Sequence, residues 1–245
     1  MEDKTPDCLS LTELVAGLVH EIRNPLSTIS LNLQLLKEDW RESESPRDKR
    51  TVKKLDVIQA ETQRLEEILN DILHFVRIES LELQPQDVNA MLDEITEFKA
   101  SELKLRNIEI IRFYDYNQPR CAADASLLKQ ALLNIVLNAQ QAIDKDGQIM
   151  IRTSPENGKV RIEITDTGPG MPPDVQAKIF KPWFSTKKTG TGLGLPTTRR
   201  IIEAHGGTIQ VFSEANRGTS VVVHLDPAGP PNPADRPNGA STAND

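Results

Sequence analysis

From Leu11 onward the apolar positions recur at Leu11, Val15, Leu18, Ile22, Leu26, Ile29, Leu33 and Leu36, always three or four residues apart. That spacing paints one stripe along a helix, with the repeat of a coiled-coil seam. The polar stretch from Arg41 to Asp48, which contains Pro46, breaks the pattern and predicts a turn. A second run follows at Val52, Leu55, Ile58, Thr62, Leu65, Leu69, Ile72 and Val76, with Thr62 its single polar member. Two long amphipathic helices joined by a short loop are therefore expected. One hairpin cannot cover both stripes, so the pattern predicts a homodimer through residues 9 to 79, closed as a four-helix bundle.

After Gln84 and Pro85 the texture changes to short alternating runs, which puts a domain boundary near residues 80 to 86. Strands are predicted at Ile108 to Tyr114, Gln148 to Ser154, Lys159 to Asp166, Thr208 to Ser213 and Ser220 to Leu225. Glu156-Asn157-Gly158 and Asn216-Arg217-Gly218 supply hairpin turns. Helices are predicted at Val88 to Leu105, Ala125 to Ile143 and Leu193 to His205. The expected fold is thus an α-helical hairpin (9–80) followed by an α/β unit (81–226), one antiparallel-rich sheet with helices on one face. Residues 1–8 and the Pro- and Gly-rich tail 227–245 are expected to be disordered.

The chain has 245 residues, a formal charge of −7 and 38% hydrophobic residues. An acidic balance argues against a nucleic-acid partner, since little would drive counterion release. No apolar run approaches the roughly 20 residues that cross a bilayer, and MEDKTPDCLS has no secretory pattern, so a cytoplasmic location is expected. Cys8 and Cys121 are too few for a metal cluster, and Cys121 reads as structural.

His20 lies two residues from both Leu18 and Ile22, about 160° to 200° from the stripe, and should face solvent. An outward histidine is often an ordinary surface residue. Its surroundings argue otherwise: Glu21 is adjacent, Asn24 shares the face one turn on, and Pro25 costs a helix interior about 3 kcal/mol. A neutral imidazole is a competent nucleophile toward a phosphoryl group, and a neighbouring carboxylate can take its proton or fix its tautomer. An amide on the same face could orient a water.

Two glycine clusters mark the second unit: Asp166-Thr167-Gly168-Pro169-Gly170 ending a strand, and Gly190-Thr191-Gly192-Leu193-Gly194 opening a helix. Neither is a Walker loop. Such turns either cradle phosphate with backbone N–H groups or merely turn tightly. Asn134 and Asn138 share a helical face, and their amide oxygens either hold a hard cation beside nucleotide phosphates or cap a neighbouring strand.

The run Leu18-Val19-His20-Glu21-Ile22-Arg23-Asn24-Pro25-Leu26 closely resembles the H-E-x-x-N-P phospho-acceptor motif of sensor histidine kinases. Downstream, the Asn134 to Asn138 segment, the Asp166 segment, Phe180 with Phe184, and the Gly190 to Gly194 segment resemble, in order, the N box, first glycine box, phenylalanine box and second glycine box of the ATPase fold these kinases share with gyrase and the heat-shock chaperone. The resemblance covers residues 9 to 226. It implies His20 as phospho-acceptor, Glu21 as general base, and Asn24 as the residue for dephosphorylating a partner. Asn138, helped by Asn134, would hold magnesium, and Asp166 would receive the adenine amino group of ATP. Gly168 and Gly170 would form the turn beside the base, with Gly190, Thr191, Gly192, Leu193 and Gly194 against the phosphates. Residues 171 to 189 would form a lid in which Lys187, and less strongly Lys188, either reaches phosphate or is a solvated charge.

Two departures stand out. Gln141 and Ala142 sit where many relatives carry a basic and an aromatic residue, and Trp183 interrupts the phenylalanine box. The implied activity is autophosphorylation of His20 and transfer to an aspartate of a response-regulator receiver domain. Input would come from a separate sensory protein or from a sensor segment outside this chain. Rival readings are a conformational ATPase of the gyrase or chaperone type, and a degenerate kinase acting as a dimeric scaffold.

Overall fold

The computed structural model describes residues 11–40, 45–76, 81–115, 120–187 and 190–228. It divides into two compact units, Met1–Glu79 with Lys181–Pro196, and Ser80–Phe180 with Thr197–Asp245.

Helices α1 (Leu11–Asp39) and α2 (Pro46–Val76) dominate the first unit. The expected turn is shorter than the polar stretch suggested, because Pro46 begins α2. Proline suits a first turn, where its missing donor is not needed. Ser45 acts as the cap: its Oγ accepts from the Arg47 N–H at 3.3 Å and its carbonyl from the Lys49 N–H at 3.1 Å. Helix α1 runs unbroken through Pro25.

The predicted stripe turns out to be two adjoining rows. Val19 (3% exposed), Leu26 and Leu33 on α1, with Leu55, Thr62 and Leu69 on α2, are buried between the helices, each set stepping by seven residues. Leu18 (59% exposed), Ile22, Ile29, Leu36, Ile58 and Leu65 are exposed in the single chain. One partner helix can cover only one row of a stripe this wide. Val19, which the predicted stripe omitted, belongs to the inner row, and Leu18 does not. Thr62 is tolerated there because its hydroxyl donates to the Ile58 carbonyl of its own helix at 2.9 Å. Polar ties join the helices outside the core, Arg23 to Asn70 at 2.5 Å and Lys37 to Asp56 at 2.7 Å.

The second unit contains, in order, β1 (Gln84–Asp87), α3 (Val88–Leu105), β2 (Ile108–Phe113), β3 (Arg120–Ala123), α4 (Ala125–Ala142), β4 (Gly147–Glu156), β5 (Lys159–Asp166) and α5 (Pro173–Gln176). Helix α6 (Gly194–Ala204), whose first residues to Pro196 count with the first unit, β6 (Thr208–Ser213) and β7 (Thr219–Leu225) follow. Five strands form one sheet in the order β2-β4-β5-β7-β6; β2 and β4 are parallel and the other neighbours antiparallel. A separate antiparallel pair, β1 and β3, had not been expected from the sequence. Each spans four residues, too few for alternation to register, and β1 contains Pro85. The single-turn α5 was missed for the same reason of length.

Alternation positions the core. Along β5 the inward residues are Val160, Ile162, Ile164 and Asp166, all buried, while Arg161, Glu163 and Thr165 face the other way. The inward side is filled by Leu92 and Ile95 of α3, Leu128, Leu132 and Ile135 of α4, Ile149 and Ile151 of β4, and Ile201 and Ile202 of α6.

Helix α4 is fixed at its start by Asp124, whose Oδ1 accepts from the N–H groups of Ser126 (3.0 Å) and Leu127 (3.1 Å). The Asp124 N–H donates to His205 Nε2 at 3.0 Å, and His205 Nδ1 donates to the Ile201 carbonyl at 2.7 Å, so this buried imidazole is neutral with its proton on Nδ1. Cys121 is buried and its thiol is pushed up to about 12 by burial, which makes it an inert packing residue. Cys8 lies outside the described residues.

Candidate functional site

Helix α1 carries the first group of candidates. The side chain of His20 lies outside the described residues, so the expectation that it faces solvent has no contact to be read against. Helix geometry places position 20 about 100° from inward Val19 and about 120° from Leu26, off the buried row. Glu21 and Asn24 are exposed, as is Gly17 one turn earlier. Just past Pro25 the Thr28 hydroxyl donates to the Asn24 carbonyl at 3.1 Å and Asn32 Nδ2 to the Thr28 carbonyl at 2.8 Å. Continuing that face of the helix, Leu31 (58% exposed) and Leu35 are apolar and uncovered.

In the α/β unit, α4 and the end of β5 assemble the second group. Asn134 and Asn138 are half-buried on one face of α4, flanked by buried Ile135 and Ala139. Asp166 takes the last inward position of β5 and is 5% exposed, a carboxylate where the strand's pattern calls for another aliphatic residue. Burying it is costly unless it is hydrogen-bonded, and the Gly168 N–H donates to its Oδ1 at 2.8 Å. A Cβ at Gly168 would sit 2.8 Å from that oxygen and 3.0 Å from Cβ of Ala142, one helical turn beyond Asn138. Glycine therefore lets the strand end close onto α4, bringing Ala142, Gly168 and Asp166 into one corner.

Gly170 adopts φ +64°, and a Cβ there would approach the Glu214 carbonyl oxygen to 2.0 Å. Gly218, at φ +87°, lies as closely against the Asp166 carbonyl. The Asn216 N–H donates to Pro169 at 2.6 Å. The β6–β7 hairpin thus buttresses the first glycine turn. This role was not read from the sequence, where Asn216-Arg217-Gly218 signalled a turn but not its packing.

The third group belongs to the first unit. Gly192 adopts φ +72° and packs on the backbone of Trp183 and Phe184, where a Cβ would come within 2.6 Å. The Trp183 N–H donates to the Gly192 carbonyl at 3.1 Å. Trp183 itself has φ +66°, a strained conformation for a side-chain-bearing residue, and its ring is exposed. The Thr191 hydroxyl donates to Asp71 Oδ2 on α2 at 2.6 Å, Leu193 is buried, and Gly194 opens α6. Lys187 is exposed and its N–H donates to Ser185 Oγ at 3.1 Å; a Cβ at Gly190 would approach that same oxygen to 2.6 Å. Lys188 lies outside the described residues. The structure thus brings together Ala142, Gly168 and Asp166 in one unit, and Trp183, Thr191 and Gly192 with Asp71 in the other.

This chemistry suits a nucleotide. A buried carboxylate beside a glycine turn can accept from an exocyclic amine, and paired amides can share a hard cation with phosphate oxygens. Among the described residues no group of three or more His, Cys, Asp or Glu could hold a metal by itself.

A pair of long helices followed by an α/β unit with a buried strand-end aspartate fits the architecture of the histidine kinases, and the chain belongs to that family. Residues 10–81 match the His Kinase A (phospho-acceptor) domain, and residues 123–229 match the histidine kinase-, DNA gyrase B- and HSP90-like ATPase domain. It is similar to the sensor histidine kinase ZraS of Escherichia coli K12, 35% identical over 89% of this chain and 46% of that protein. It is also similar to sporulation kinase C of Bacillus subtilis, 33% identical over 89% of this chain and 49% of the relative. The chain spans about half the length of these curated relatives. Among solved structures, full-length ShkA in complex with AMPPNP aligns with TM-score 0.74 at 29% identity, covering 90% of this chain and 47% of that one. Histidine kinase ThkA in complex with the response regulator TrrA aligns with TM-score 0.64 at 29% identity, covering 88% and 61%.

Proposed function

We propose that the chain binds magnesium-ATP, phosphorylates its own His20 and passes the phosphoryl group to an aspartate of a response-regulator receiver domain, in the cytoplasm. The observation that carries the ATP part is Asp166, a carboxylate buried at a strand end against a glycine that tolerates no side chain. Relatives complexed with AMPPNP and with a response regulator support the two halves of the reaction.

In this reading Asp166 accepts from the adenine amino group and Gly168 and Gly170 shape the turn beside it. Asn138 and Asn134 would hold magnesium, which when bound offsets phosphate charge. Lys187, Gly190, Thr191, Gly192, Leu193 and Gly194 would meet the phosphates through side-chain and backbone donors. His20 attacks the γ-phosphorus in line, ADP leaves, and exposed Glu21 takes the imidazole proton. The product is a phosphoramidate, which a receiver aspartate can accept. Asn24 would orient water for hydrolysis of the partner's aspartyl phosphate, which releases inorganic phosphate. Leu31 and Leu35 extend the acceptor face as an apolar strip on which a receiver can dock.

Homodimerisation is supported by the exposed row Leu18, Ile22, Ile29, Leu36, Ile58 and Leu65, which a second hairpin would cover. No described helix is long and apolar enough to cross a membrane. His20→Gln is expected to abolish labelling from γ-labelled ATP while nucleotide still binds; continued labelling would point to another acceptor. Acid-labile, base-stable label separates the kinase from the conformational-ATPase and scaffold readings.

A further inference from the structure

We infer that Asp71 is a latch residue: through Thr191 it holds the second glycine segment on helix α2 and competes with the triphosphate for that segment. The inference rests on the nucleotide reading above for its competitor and on the first unit alone for its geometry.

The Thr191 hydroxyl is engaged both as donor and as acceptor. It donates to Asp71 Oδ2 at 2.6 Å and accepts from the Leu193 N–H at 3.3 Å. In this arrangement neither donor can turn to a phosphate oxygen, and a carboxylate stands one hydrogen bond from the turn that would receive an anion. The segment moves as a piece, because the Trp183 N–H bonds to the Gly192 carbonyl and Gly192 is pressed on the Trp183 and Phe184 backbone. Trp183, held at φ +66°, stores strain at the joint that opening would release.

The latch also sets a height on the hairpin. Asp71 follows Asn70, whose side chain accepts from Arg23 of α1 at 2.5 Å, and Arg23 lies three residues from His20. Asp71 therefore parks the phosphate-binding turn at the level of the phospho-acceptor with its donors engaged. Nucleotide occupancy and the parked state exclude each other, so apparent nucleotide affinity falls by the parked fraction.

A hydrogen bond to a charged group supports roughly a tenfold bias toward the parked state. Asp71→Ala should bind Mg-AMPPNP about tenfold more tightly by calorimetry, whereas Glu67→Gln, which removes one charge a turn away on the same helix, should bind as wild type. In a Thr191→Val background, Asp71→Ala should add nothing. Without nucleotide, amide exchange at residues 183–187 and 190–193 should be faster in Asp71→Ala than in wild type. Local damage would weaken binding, so a gain in affinity is not what a structural lesion produces. Wild-type binding with an unchanged Asp71→Ala variant, equal tightening by Glu67→Gln, or unchanged exchange would each overturn the latch alone. A wild-type chain that binds no Mg-AMPPNP would overturn the nucleotide reading together with the competition.

Discussion

The helical hairpin and the α/β unit solve the burial problem in opposite ways. The hairpin encloses one apolar row and leaves the adjoining row, Leu18, Ile22, Ile29 and Leu36, in solvent. The α/β unit encloses most of its aliphatic residues, Leu83 and Leu105 excepted, and it also buries polar groups, among them Asp166, Asn89, Thr197, Thr198 and His205. Chemistry that relies on association can sit on an element that is unfinished alone. A buried carboxylate such as Asp166 instead needs walls that do not depend on a partner, and the self-contained unit supplies them.

That contrast can be broken, most severely, at the first glycine turn. Gly170→Ala sets a Cβ onto the Glu214 carbonyl at a positive φ, and should cost the α/β unit about 3 kcal/mol and most nucleotide affinity. The hairpin's helical circular dichroism should survive. Ile29→Asp should do the reverse, weakening self-association by about 2 kcal/mol per chain in analytical ultracentrifugation while leaving Mg-AMPPNP binding unchanged.

A smaller effect is expected at Asp124. Burial pushes its carboxyl up, but the N–H groups of Leu127, Ser126 and Glu82 and the Ser126 hydroxyl outweigh this and hold it below the ordinary carboxylate range. Asp124→Ala should cost about 1 kcal/mol of α/β-unit stability at neutral pH. A carboxylate depressed in the folded state stabilises above its unfolded pKa and ceases to do so as pH falls through its folded value. The difference between variant and wild type should therefore shrink below about pH 4. Least of all, Thr62→Val should leave thermal unfolding within about 0.5 kcal/mol of wild type, because the hydroxyl bonds only to its own helix. A large loss there would mean that Thr62 serves the bundle in some other way.

Long periodic elements were legible in the sequence. Helix α3, strands β5 and β6, and both hairpin turns fall where the spacing put them, since each repeats its pattern several times. The row assignment on α1 was less legible: Leu18 and Val19 are adjacent apolar residues, and only the partner helix decides which turns inward. β1 and β3 were invisible because four residues carry no period, and one of them holds a proline. Of the site, Asp166 and its glycines were marked by composition, and their convergence with Ala142 follows from helix-to-strand packing that no local pattern encodes. Asp71 and Gly218 lie far from their partners Thr191 and Asp166 in the chain, so spacing could not reveal either contact.

The central claim is that the imidazole at position 20 receives the γ-phosphoryl group. Incubation with γ-labelled ATP and magnesium, followed by peptide mapping at alkaline pH, tests it most directly. The expected result is one labelled peptide containing residue 20, stable in base and lost in mild acid. A label that survives acid, or that maps to any other peptide, would contradict it.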